Sequence, residues 1–113
     1  MVTLEHLPLD GFDLIRVDGR LGAADSADAA AQMASILDRG TGTVHLDLDR
    51  LSFLDSSGLS VLVSLLKRAR RNDGDVVLYN VNERVQALLE LTRLHEIFET
   101  RVSEEYRTAA GAG

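Results

Sequence analysis

The chain has 113 residues, of which 12 are basic and 18 acidic, giving a formal net charge of −6, and it contains no cysteine. The length suits one domain with a genuine hydrophobic core, and the missing thiols exclude disulfide frameworks, thiolate catalysis and cysteine–zinc sites. The acidic excess is the reverse of what direct nucleic-acid binding requires, and no apolar run approaches the ~20 residues that span a bilayer, so no membrane insertion is expected.

The opening stretch, MVTLEHLPLDGF, has neither a basic n-region nor a continuous apolar segment. No secretory signal is visible there, and a cytoplasmic location is the default expectation. Within it, VTLEHL (2–7) alternates apolar and polar residues, the period of a half-buried strand. PLDG (8–11) supplies turn chemistry and FDLIRV (12–17) reads as a second strand. Two strands joined so tightly form an antiparallel hairpin.

GRLG (19–22) breaks the pattern. Asp25 then stands where it can cap a helix through Leu37, with Ala29, Met33, Ile36 and Leu37 on one face and Gly40 as the stop. In TVHLDLDRLSFLD (43–55), Val44, Leu46 and Leu48 alternate with His45, Asp47 and Asp49. That predicts one strand with a single buried face. Its helical link to the second strand makes the pair parallel.

The next helix starts after Asp55 and stacks Leu59, Leu62, Val63 and Leu66 at i, i+3, i+4 and i+7. Its other face carries Ser57, Ser60, Ser64, Lys67 and Arg68. The cluster Lys67, Arg68, Arg70 and Arg71 falls in its last turns, where cations oppose the helix macrodipole. RNDGD ends the helix, and VVLYN (76–80) reads as a short buried strand. Asn80 and Glu83 have the spacing of a capping box, opening a helix with Val85, Leu88 and Leu89 inward.

Residues 96–102 are expected to form a last strand, and Ser103-Glu104-Glu105 to cap a short terminal helix. The small-residue end, about 109–113, is expected to be flexible. The element order is β-β-α-β-α-β-α-β-α in a single α/β domain. It implies a mixed β-sheet, an N-terminal β-hairpin followed by right-handed β-α-β crossovers with packed helices. His6, His45 and His95 lack metal-ligand spacing, and no metal or cofactor is expected.

The functional question concentrates at Asp55-Ser56-Ser57-Gly58, where a strand's carboxyl end feeds a helix N-terminus, a place where α/β folds put binding sites. One N-cap oxygen is enough for a helix. Here three candidates stand in a row before a glycine. If Asp55 is the cap, the hydroxyls of Ser56 and Ser57 are left over, and Gly58 leaves room for another molecule to approach. A helix N-terminus also accommodates a phosphoserine dianion well. Two readings stand on the residues alone: a phosphorylatable serine at a partner-binding corner, or a redundant cap followed by an incidental glycine.

The stretch LDLDRLSFLDSSGLSVLVSLLKRARRNDGDVVLYNVNERVQALLELTRLHEIF closely resembles the STAS-domain family of anti-sigma-factor antagonists. That family is marked by a strand ending in apolar-Asp-Ser-Ser/Thr-Gly-Leu, then an amphipathic helix and a second β-α unit. The resemblance covers nearly the whole chain and implies the STAS fold. It makes Ser56 the phosphoacceptor, with Asp55, Ser57, Gly58, Leu59 and Ser60 at the partner-binding corner. It also implies partner switching. The unphosphorylated protein binds an anti-sigma factor that is a serine kinase of the histidine-kinase-like ATPase fold, which frees the sigma factor. Phosphorylation ends that contact, and a metal-dependent serine phosphatase restores it. One departure is visible: the family often carries acids just after the second strand, where this chain has Arg20 and Gly22. Both are counted with the partner-binding residues, and Arg20 is a candidate to pair with a phosphate on Ser56.

Three other readings compete. A STAS scaffold or adaptor in a signalling assembly or membrane-transport machinery would keep the fold without the switch, and would have no need of the intact Asp-Ser-Ser-Gly. A phospho-aspartate receiver would need an acidic pair after the first strand and a lysine near a later strand end. The only lysine, Lys67, lies within a helix. A serine hydrolase would need a Gly-x-Ser-x-Gly elbow and a histidine directed at Ser56, and the chain offers neither. The expectation is a non-enzymatic, phosphorylation-switched antagonist.

Overall fold

In the computed structural model, which describes residues 1–106, β1 (Val2–Pro8) and β2 (Asp13–Leu21) form the antiparallel hairpin that the alternating apolar pattern predicts. Then come α1 (Ser26–Arg39), β3 (Val44–Asp47), β4 (Leu51–Leu54), α2 (Ser56–Arg71), β5 (Val76–Tyr79) and α3 (Glu83–Leu91). A 3-10 turn (Leu94–Glu96) and β6 (Glu99–Arg101) complete the described chain. The strands make a mixed sheet in the order β1-β2-β3-β5-β6, with β4 paired to β2 beyond the end of β3. Every pairing other than β1 with β2 is parallel. This is the predicted hairpin-plus-crossover α/β plan.

Alternation along the strands divides the sheet into two faces. Ile15, Val17, Val44, Leu46, Val76 and Leu78 point into one core with Met33, Leu62, Leu66, Val85 and Leu89 from the three helices. Burying a leucine such as Leu62, fully enclosed here, contributes on the order of 1.5–3 kcal/mol. Val63, expected on the inward face of α2, is only half-buried, whereas Val61 and Leu65 are buried. α2 packs on α1 as well as on the sheet, so its apolar stripe is wider than a one-sided reading allows. The opposite sheet face carries Leu14, Arg16, His45, Asp47, Val77 and Tyr79.

Several expected boundaries shift, each for a local reason. The strand predicted over 43–55 is two strands, because the Asp47 carboxylate accepts from the Asp49 amide (3.1 Å) and turns the chain. GRLG does not end the second strand. Gly19 takes φ +101 as a bulge, and Arg20 and Leu21 continue β2 alongside β4. The N-cap of α3 is Asn82, which accepts from Val85 N at 2.9 Å, and not Asn80. Asn80 is buried with φ +59, and its side-chain amide binds Asp47 and the Ser103 backbone. Asp25 sits before α1 but makes no side-chain cap. The last strand is shorter than predicted, since 94–96 wind into the 3-10 turn. Of the terminal helix expected from Ser103, residues 104–106 form a turn, and the remainder, with the 109–113 end, lies outside the described residues.

Candidate functional site at the β4–α2 corner

Asp55 leaves β4 in an extended conformation (φ −108, ψ −171) and caps α2 through Oδ1, which accepts from Gly58 N at 3.0 Å. Its second oxygen accepts from Ala23 N at 3.2 Å. One carboxylate thus ties the start of α2 to the loop between β2 and α1. Gly22 makes this approach possible, because a Cβ there would lie 3.0 Å from Asp55 Oδ2 and 3.1 Å from the Phe53 ring.

With Asp55 as the cap, Ser56 is the first residue of a 16-residue helix. Ser56 is exposed and Ser57 half-buried. Among the described residues nothing hydrogen-bonds either hydroxyl. Ser60 is exposed one turn on, its hydroxyl donating to Ser56 O at 2.9 Å. The free N–H groups and the macrodipole of a helix start give a dianion at Ser56 a favourable setting.

Two residues expected at the partner surface lie inside instead. Gly58 is buried, and a Cβ on it would stand 2.2 Å from Leu21 O and 2.6 Å from Leu54 Cδ1. The space it leaves is taken by the backbone of β2, not offered to another molecule. Leu59 is 7 % exposed and belongs to the core. The corner's outward surface is therefore Ser56, Ser57 and Ser60, beside a groove of about 340 Å³ between α1 and α2 lined by Ser26, Ala27, Ala30, Ser57, Ser60 and Ser64.

Arg20 lies with its guanidinium over the Phe53 ring, 4.0 Å from the centroid, a cation–π contact. Phe53 was not singled out by the sequence reading. The usable signal is register, since Arg20 and Phe53 are partners in the β2–β4 pairing, but that pairing is hidden while 43–55 is read as one strand. Farther along the two helices, Arg68 on α2 donates to both carboxylate oxygens of Asp38 on α1 (2.9 and 2.5 Å) and holds that carboxyl below its ordinary range. Among the described residues no three His, Cys, Asp or Glu side chains converge as a metal site would require, and no helix is long and apolar enough to cross a membrane.

This two-layer fold, with its acid-capped serine corner, matches the STAS domain model over residues 8–109. The chain belongs to the STAS domain family. It is 30 % identical to BtrV of Bordetella bronchiseptica, a protein named for anti-sigma factor antagonism, over 102 residues that cover 90 % of this chain and 88 % of that one. It is 27 % identical over 104 residues to the anti-sigma-B factor antagonist of Staphylococcus epidermidis, covering 92 % and 96 % of the two chains. Among solved structures, the unphosphorylated form of the anti-sigma factor antagonist SpoIIAA superposes with a TM-score of 0.77 at 23 % identity, covering 93 % of this chain and 90 % of that one. That likeness is one of fold.

Proposed function

We propose that this protein is an anti-sigma factor antagonist that works by partner switching at the β4–α2 corner, in the cytoplasm, as part of a stress-responsive control of transcription. Unphosphorylated, it binds an anti-sigma factor that is itself a serine kinase of the histidine-kinase-like ATPase fold, and the sigma factor is released. The kinase then phosphorylates Ser56, the complex separates, and a metal-dependent phosphatase removes the phosphate. The protein is a substrate in this cycle and not a catalyst.

One observation carries the reading. Asp55 supplies the cap, so the exposed Ser56 hydroxyl at the helix start has no structural duty. Related proteins are named anti-sigma factor antagonists, and SpoIIAA is known in a phosphorylated form with a similar fold, TM-score 0.72. In this reading Ser56, Ser57, Ser60 and Arg20 face the partner, while Asp55, Gly22, Gly58 and Leu59 hold the corner's shape. A phosphate adds nearly two negative charges beside the Asp55 carboxylate, enough to expel a docked surface. Arg20, the strand partner of Phe53 two residues before Asp55, is the cation this reading assigns to turn towards it.

The test is incubation with the cognate kinase and ATP–magnesium, with the phosphosite mapped by mass spectrometry. Phosphate on Ser56 and weaker kinase binding afterwards support the switch. Tight binding that phosphorylation leaves unchanged would instead favour a scaffold.

A further inference from the structure

On the sheet face turned away from the helices, Glu5 on β1, Arg16 on β2 and Asp47 on β3 stand in one transverse register. Neighbouring strands lie about 4.8 Å apart. A carboxylate that only accepts, a guanidinium that only donates and a second carboxylate therefore alternate at that interval. A cavity of about 490 Å³ opens over the row, with Thr3, Asp18 and Arg50 also on its walls.

The centre of the row is poorly matched to itself. The Asp47 side chain is 3 % exposed, and its Oδ2 lies 3.7 Å from Arg16 Nε, beyond hydrogen-bonding distance. Its Oδ1 is taken by Asn80 Nδ2 and the Asp49 amide, each at 3.1 Å. Arg16 Nε is buried and meets no protein acceptor. Arg16 NH1 reaches only to 3.5 Å from Glu5. Arg16 and Asp47 thus line the same cavity while the buried Arg16 Nε–H finds no protein acceptor, which is costly unless a third group joins the two side chains.

A hydroxyl has the chemistry to join them, because it can accept from Nε–H and donate to Oδ2 at once. An anionic ligand would suit Arg16 but oppose Glu5, Asp18 and Asp47. A cationic ligand would suit those carboxylates but oppose Arg16 and Arg50. We propose that this cavity binds a small neutral polyhydroxylated molecule, a cyclic polyol or monosaccharide, whose hydroxyls bridge the Glu5–Arg16–Asp47 row. The volume is within the range of small-molecule sites. The site is on the opposite face of the sheet from α2 and does not depend on the switch at Ser56.

The experiment is NMR titration of the full chain, following the Arg16 Nε–H resonance and the amides of β1–β3. The probes are myo-inositol, glucose and ribose, with glycine betaine, a zwitterion without hydroxyls, as the control. At least one neutral probe should give saturable shifts centred on Glu5, Arg16 and Asp47 at millimolar concentration. Arg16→Met should weaken that binding about tenfold or more, as expected for losing hydrogen bonds to a charged group. Glu5, whose side chain is 61 % exposed, can be replaced without touching the core, so Glu5→Ala tests the row even if Arg16→Met fails to fold. Ser56→Ala should bind the probe as wild type does. Absence of saturable shifts with every probe, betaine included, means that the cavity holds solvent only, and overturns the proposal. Saturation by betaine alone overturns the assigned chemistry.

Discussion

Gly58 and Leu21 meet backbone to backbone: a methyl group on the Gly58 α-carbon would stand 2.2 Å from the Leu21 carbonyl oxygen. α2 therefore starts against the β2 backbone with no room for a side chain between them, and the corner that presents Ser56 is anchored there.

This contact reverses the usual expectation for a helical glycine. Gly→Ala inside a helix normally gains about 1 kcal/mol. Here the added methyl meets backbone that cannot rotate away, and overpacking of this kind costs about 1–3 kcal/mol. Gly58→Ala should lower the urea midpoint and, by tilting the start of α2, also weaken partner binding. An unchanged or raised midpoint would mean that α2 lifts off β2 freely.

Asp55 offers a graded test of the same corner. Asp55→Ala removes the cap on Gly58 N, worth about 0.5–2 kcal/mol, and the bond to Ala23 N, worth about 1 kcal/mol. Asp55→Asn can keep the cap through its carbonyl oxygen, but it turns an NH2 towards the Ala23 amide. Equilibrium unfolding should rank wild type above Asn and Asn above Ala. Equal losses in the two variants would show that the loop contact, not the cap, dominates.

Much of this fold is legible in the chain because period-two and period-3.6 patterns report burial directly. The hairpin, α1, α2 and the buried VVLY strand follow from that rule. What stayed hidden depends on long-range partners. Asn80 and Asn82 each offer a capping amide within two residues of each other, and local spacing cannot say which one the fold claims. Asp47 and Ser103 decide it by binding Asn80, leaving Asn82 to cap α3. Gly58 was legible as a site of close approach, but its neighbour was not, since that neighbour is Leu21, far away in sequence and adjacent only in the folded chain.

The rear face carries a pH response. His45 stacks on Phe12 at 4.0 Å and tilts against Tyr79 at 5.0 Å, with Nδ1 buried and without a protein partner. Burial pushes the imidazole below its ordinary 6.5, Arg101 adds to the effect, and Glu99 and Asp75 oppose it. The unfolded chain takes up the proton first. This contribution to stability is therefore whole above pH 6.5 and declines as pH falls through that value towards the lowered folded one. Asp47 acts in the opposite sense. Burial raises its carboxyl above 3.8 despite hydrogen bonds from Asn80 and Asp49, so the folded state gains as it protonates. His45→Phe keeps the stacking and removes the titration. Denaturation series from about pH 8 to about pH 5.5 should show wild type losing stability relative to the variant as pH falls. Parallel curves would show that the environment of His45 leaves its titration unchanged on folding.

The proposed switch makes the sharpest prediction. Ser56 is exposed at the first position of α2, and Asp55 already occupies the cap. Kinase and ATP should therefore place one phosphate on Ser56 and little on the half-buried Ser57. Ser56→Ala loses no hydrogen bond of its side chain, so it should fold as wild type, bind the kinase and remain bound, giving constitutive sigma activity. Ser56→Asp should also fold, since an acid in the first turn suits the macrodipole. Its single charge should weaken binding less than phosphoserine does. An unpaired charge at a docked surface costs about 2–5 kcal/mol, so calorimetry should find phosphorylated protein binding ~30- to ~5,000-fold more weakly than the unmodified form. Arg20→Ala separates the two fates of that phosphate. If Arg20 swings from Phe53 to the phosphate, the variant should leave unphosphorylated binding nearly intact while changing the affinity of the phosphorylated form and its rate of dephosphorylation. Identical behaviour of wild type and Arg20→Ala in both states would confine Arg20 to its contact with Phe53.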